Sequence, residues 1–248
     1  MVINQDCDQP IPVICIDWSA VNAGEVFNTN SWTGISKGVI QSCWTEYSVL
    51  DHCAHLIIDI CQQRESLCRN QIEEIKGQWR NSKFDWRHCT FRSQNSDLHI
   101  YIKAFFTCVK TLLDLLMQLL SSEKIIVVVV DGFHRHKNIY GGTVINALEN
   151  NAKGNKKQIA QKVVKLLEEH KTLWIDQVIL ARDNFIHPEK GVYQLMFRLE
   201  FEEKMNNLEC VEIIPPIVCS YSIDQYVEQT SKNIQIFATL FLEIVGCK

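Results

Sequence analysis

The stretch LHIYIKAFFTCVKTLLDLLMQLL, residues 98–120, is apolar around most of a helical circumference, with Phe105, Phe106, Val109, Leu112, Leu116 and Leu120 recurring at helical steps. A helix that is apolar on nearly every side has to be covered on nearly every side, so it is expected at the centre of a bundle and as the most buried element. Toward the N-terminus, Cys43, Tyr47, Leu50, Ala54, Ile57 and Cys61 recur at steps of three and four. They mark an amphipathic helix from Val39 to the Arg64 region, and a polar connection dotted with Trp79 and Trp86 follows it.

On the other side of the central stretch, Ile125 to Val130 are six consecutive β-branched residues. They answer to strand by propensity and to helix continuation by architecture. The segment Asp131 to Gly142 holds His134, Arg135, His136 and Lys137 and ends on Gly141-Gly142, which predicts a flexible, locally basic loop. From Lys156, the residues Ile159, Val163, Leu166, His170, Trp174, Val178, Ala181 and Phe185 form one apolar stripe, a helix that runs, with room for a kink, to Ile186. Pro188 disfavours the α conformation at His187, so the helix is expected to end there.

Beyond that point the period changes from helical to alternating. Leu195, Phe197, Leu199 and Phe201 alternate with more polar residues, Asn206-Asn207 follows, and a second extended run reaches Ile214, which together predict a β-hairpin. Pro215-Pro216 closes it. Ser222-Ile223-Asp224-Gln225 has the form of a capping box for a last helix, whose stripe is Ile223, Val227, Thr230, Ile234, Phe237, Phe241 and Val245, with Gly246 as its stop. The expectation is a mainly α protein, an antiparallel helical bundle with a small β-hairpin between the last two long helices. Residues 1–30 are expected as an N-terminal arm and residues 31–248 as one helical domain.

Composition narrows the functional classes. With 248 residues and 46% hydrophobic content the chain can bury a full core, and its formal net charge of -4 supplies no global field for nucleic acid. Any RNA contact has to come from a local patch or from a groove between subunits. The 11 cysteines include no C-x-x-C pair, which speaks against a zinc framework and for free thiols in a cytoplasmic protein. The N-terminus lacks the basic start and apolar run of a signal peptide, and Asp114, Gln118 and Ser121-Ser122-Glu123-Lys124 interrupt the most apolar region. No membrane partner is expected.

The chemistry-bearing stretch is Ala181-Arg182-Asp183-Asn184-Phe185-Ile186-His187-Pro188. Arg182 follows Trp174 and Val178 at steps of four, which puts a permanent charge on a face the helix otherwise buries and calls for a partner. An arginine, a polar residue directly after it and a histidine beyond a short spacer, at the end of a long helix with a further helix to come, resembles the signature of HEPN-domain proteins. The resemblance implies a helical bundle that dimerises with two motifs facing each other. It also implies metal-independent endoribonuclease activity, exercised as a toxin or antiviral defence effector beside an antitoxin or defence-system partner. HEPN toxins paired with a nucleotidyltransferase antitoxin carry a tyrosine two residues after the histidine; Glu189 stands there, which speaks against that pairing. The same spacing rule also accepts Arg92 to His99, but those residues lie in a polar connection before a helix, and context favours Arg182.

Residue by residue, His187 is the proton carrier, with an ordinary pKa of about 6.5. Arg182 can grip phosphate oxygens bidentately, Asp183 can orient the imidazole from four residues back, and Asn184 can donate to phosphate. Arg135, Lys137 and Lys190 are the candidate RNA contacts, although the loop carrying the first two also reads as merely solvated. Acid and base work needs two proton-transfer sites, and a symmetric homodimer supplies the second histidine. No metal or cofactor is called for. Two other readings stand beside this one: a catalytically silent HEPN-like module that binds RNA or a protein, and a metal enzyme built on His52, His55 and Asp59.

Overall fold

In the computed structural model the apolar stretch 98–120 lies inside one long helix, and its covering dictates the rest of the architecture. The structure describes residues 27–30, 32, 34–81, 88–137, 139–186 and 195–246. Its helices are α1 (Gly34–Gln62), α2 (Arg64–Arg80), α3 (Ser96–Ser122), α4 (Gly142–Asn151), α5 (Lys157–His170), α6 (Asp176–Ile186) and α7 (Ile223–Gly246). Its strands are β1 (His88–Gln94), β2 (Met196–Lys204), β3 (Asn207–Ile214), β4 (Ile217–Val218) and β5 (Tyr221–Ser222). A π-helical turn at Lys171–Ile175 joins α5 to α6 without a break. The protein is mainly helical with a small antiparallel sheet.

The central helix starts where the sequence offers a cap: the Asn95 side chain accepts from the Leu98 amide at 2.9 Å, and Asp97 sits in the first turn, favourably placed against the helix dipole. Phe105, Phe106, Leu112, Leu116 and Leu120 are fully buried along it. The first helix packs along α3 and also meets α7, α5 packs on α7, and α6 packs on α3. Every residue of the stripe read on the last helix is buried: Ile223, Val227, Thr230, Ile234, Phe237, Phe241 and Val245. Phe27 is buried as well, with its ring 5.6 Å from that of Tyr47, so the chain joins this core inside the stretch expected as an arm. Residues 1–26 of that arm lie outside the described residues.

Three expectations differ from the structure. The polar connection after the first helix is largely a second helix, α2, anchored by Cys68, Ile72 and Ile75, and β1 follows it. The small β element is therefore not a lone hairpin: β1, from before α3, pairs antiparallel with β2, and β2 with β3, giving the order β1-β2-β3. Phe91 of β1 stands edge-on to Phe201 of β2 at 5.6 Å, which ties the added strand to the core.

The β-branched run 125–130 is neither strand nor helix. Lys124 takes a left-handed φ of 55° and the Ile125 amide returns to the Leu120 carbonyl at 2.8 Å, which ends α3. The run folds over the helix end, where the Ser121 hydroxyl bonds the Val128 carbonyl and accepts from the Val130 amide, each at 3.1 Å. Ile125, Ile126 and Val130 are buried while Val127 and Val129 face outward. Propensity here had no neighbouring strand to act on.

The cysteines described are all free, and most are buried. Burial pushes the thiols of Cys43, Cys61 and Cys108 up to about 12, so they stay protonated and inert at neutral pH. No helix among the described residues is long and apolar enough to cross a membrane.

Candidate functional site

The last turn of α6 is pinned from inside. Ala181 is fully buried, and the Phe185 ring stacks on Phe106 of α3 with 5.2 Å between centroids. Arg182 and Asp183 are thereby held at the margin of the core, with 26% and 13% of their side chains exposed. The charge that the stripe forces onto this face finds its partner next door: Arg182 Nη1 donates to Asp183 Oδ1 at 3.0 Å. The Arg182 Nε is buried and meets no acceptor among the described residues.

The segment 131–141 comes to the same place, and its route is fixed by α3. Asp114 accepts from the Phe133 amide at 2.6 Å while Lys110 donates to its other oxygen at 2.7 Å. Phe133 is buried, and Gly141 lies against it: a Cβ there would come within 2.2 Å of the ring, and the backbone has a φ of 68°. Glycine is required at this position on both counts. Gly141 then stands as the N-cap of α4, a helix that the glycine pair had hidden in the sequence. This segment is tethered, not free.

The tether delivers Arg135 and Tyr140 to Asp183. Tyr140 donates its hydroxyl to Asp183 Oδ2 at 3.2 Å, and Arg135 Nη2 lies 4.0 Å from that same oxygen. Arg135 also donates to the Tyr140 hydroxyl, and its guanidinium sits 3.8 Å over the Tyr140 ring, a cation–π contact. Burial, and then the Asp183 charge, raise the Tyr140 pKa, so the phenol remains a donor. Two guanidinium groups thus share one carboxylate. The cluster is locally cationic although the whole chain is anionic.

The remaining candidates are distributed unevenly. Arg135 is about half exposed, and Lys137 stands exposed in a left-handed turn, with a φ of 49°. Asn184 is buried, so its amide is turned into the protein and not toward a polyanion. His187 and Lys190 lie outside the described residues. His52 and His55 are exposed on α1, and the His55 ring is bonded to the Asp51 carbonyl at 2.8 Å. Among the described residues no three His, Cys, Asp or Glu side chains gather as a metal site, which removes the His52, His55 and Asp59 reading. The second match to the spacing rule is divided between elements, with Arg92 on β1 and His99 in α3.

Tyr140 is the residue that the sequence reading missed. Its only signal was an aromatic beside Gly141-Gly142, and nothing local ties it to Asp183, 43 positions on. No family model matches the chain, and no curated protein or solved structure does either.

Proposed function

We propose that this chain is a metal-independent endoribonuclease of HEPN type that cleaves RNA by 2′-hydroxyl attack on the adjacent phosphate. The observation that carries the reading is the convergence of Arg182, Arg135 and Tyr140 on Asp183, five residues or fewer before His187. Arg182 and Arg135 grip the scissile phosphate and stabilise the charge that grows on its oxygens. Asp183 holds both guanidinium groups in place, and Tyr140 is the positioning residue that fixes Arg135.

His187 takes the 2′-hydroxyl proton as that oxygen bonds to phosphorus. The bond from phosphorus to the 5′-oxygen breaks, and a second histidine, supplied by the partner in a homodimer, protonates the leaving oxygen. The products are a 2′,3′-cyclic phosphate and a 5′-hydroxyl. Lys137 and Lys190 extend the cationic rim toward flanking phosphates. The helices then form a HEPN-type bundle with the active site at the dimer interface, and the cellular role is that of a cytoplasmic toxin or antiviral effector restrained by an antitoxin or defence-system partner.

One observation favours a second reading, a silent HEPN-like module that binds without cutting. Asp183 already neutralises Arg182, which is only 26% exposed. Incubation of the purified protein with single-stranded RNA in excess chelator separates the two. Cleavage to fragments ending in cyclic phosphate is expected, unchanged by the chelator. RNA left intact, or cut only after a divalent ion is added, overturns the nuclease.

A further inference from the structure

The outer face of the three-stranded sheet carries a second cationic feature, remote in sequence from Asp183. The register places Arg92 of β1 directly opposite Arg198 of β2, with Ile214 of β3 completing the row. Like charges directly opposite each other on neighbouring strands are destabilising, so this row costs stability in the absence of a counter-charge. The next row on the same face, Thr90, Glu200 and Glu212, supplies one partial remedy: Arg198 Nε donates to Glu200 at 3.1 Å. No other partner of Arg198 occurs among the described residues.

The two arginines border a shallow cavity of about 230 Å³ whose other walls are Met196, Ile214, Pro215, Pro216 and Ile217, with no carboxylate in the lining. The walls are apolar, and the two prolines make a ledge of fixed φ with no amide to offer. A paired guanidinium fork beside a flat apolar ledge has the chemistry of a phosphate joined to an aromatic ring. The cavity is smaller than the roughly 300–1,000 Å³ of sites for drug-sized ligands, so it suits one small ligand unit. Farther along the outer face come Glu200, Glu212, Glu202 and Glu209, which repel a continuing phosphodiester.

We infer that Arg92, Arg198 and the Pro215-Pro216 ledge form a mononucleotide site, with the phosphate on the arginines and the base on the prolines. The nucleotide is either free or the terminal residue of an RNA strand. The site stands apart from the cleavage chemistry at Asp183.

Calorimetric titration of the full chain with adenosine monophosphate, adenosine, and a 2′-O-methyl RNA tetramer with and without a 5′-phosphate tests this. The monophosphate is expected to bind at least about tenfold more tightly than adenosine, with a gap that narrows as salt is raised. Arg92→Gln with Arg198→Gln should abolish that gap, whereas Arg182→Ala should leave it intact. Arg92→Lys alone should lose about tenfold, because a point charge does not replace the fork. A thermal melt of each variant ensures that a loss of binding is read on folded protein. A tetramer preferred with its 5′-phosphate identifies an RNA end as the ligand, and tetramers that fail to bind while the monophosphate binds identify the free nucleotide. Equal affinity for adenosine and its monophosphate, no binding of either, or an undiminished gap in the folded double variant overturns the site.

Discussion

Replacing His187 by alanine should lower chelator-resistant cleavage of single-stranded RNA by about 10²–10⁴-fold, the usual worth of a positioned proton carrier. Arg182→Ala should cost about 10²–10³-fold, because it removes positive charge where the phosphorane oxygens develop theirs. Arg182→Lys should recover little of this: a single ammonium cannot present two parallel donors to a phosphate. Asp183→Asn probes the link between the two arginines. Its amide keeps the shape but not the charge that holds Arg182 at 3.0 Å and Arg135 at 4.0 Å, so the rate should fall as well. Tyr140→Phe keeps the ring beneath Arg135 and loses only the hydroxyl bonds, and it should show the mildest defect of the set. Cleavage measured with equal amounts of folded protein would sink the assignment if His187→Ala were as active as the wild type.

This prediction draws on two kinds of information, and only one of them is local. The Arg182-Asp183 pair is readable from sequence because i and i+1 on a helix end, next to an apolar stripe, cannot separate far. The arrival of Arg135 and Tyr140 is not readable in that way. It depends on Asp114 in the middle of α3 capturing the Phe133 amide, and on Gly141 allowing Phe133 to lie against the backbone. A segment that reads as flexible by its glycines is held by contacts from another helix.

The same division runs through the fold. The long stripes of α3, the α5–α6 segment and α7 were legible because a helix with one wholly buried face repeats its signal over many turns. The shorter elements carry less signal. In α2 only Cys68, Ile72 and Ile75 are buried, at steps of four and three, among charged residues that dominate the composition. In β1 the alternation of Cys89, Phe91 and Ser93 with Thr90, Arg92 and Gln94 is present in the sequence but spans one short strand. The run 125–130 shows the opposite error, a strong strand signal with no strand beside it to complete a ladder.

The junction of α5 and α6 makes a prediction about stability. Trp174 is fully buried in the π-helical turn, and its indole donates to Nδ1 of buried His170 at 2.9 Å, while both rings pack edge-on against Phe237 of α7. Trp174→Ala removes the largest side chain of this contact and leaves His170 Nδ1 without its donor. It should lower the unfolding free energy by about 3–5 kcal/mol, read from urea melts followed by circular dichroism. The acceptor role also requires a neutral imidazole. Burial lowers the His170 pKa from 6.5, outweighing the opposing charge of Glu169. With the folded value below the unfolded one, the contribution of His170 is complete above about pH 6.5 and is lost as pH falls through the folded pKa, because the unfolded chain takes up the proton first. His170→Gln keeps an acceptor that does not titrate. The difference in stability between wild type and this variant should therefore shift in favour of the variant on going from pH 7 to pH 5, by at most about 1.4 kcal/mol per pH unit. Parallel stability profiles for the two proteins over that range would mean that His170 is not held neutral by its burial.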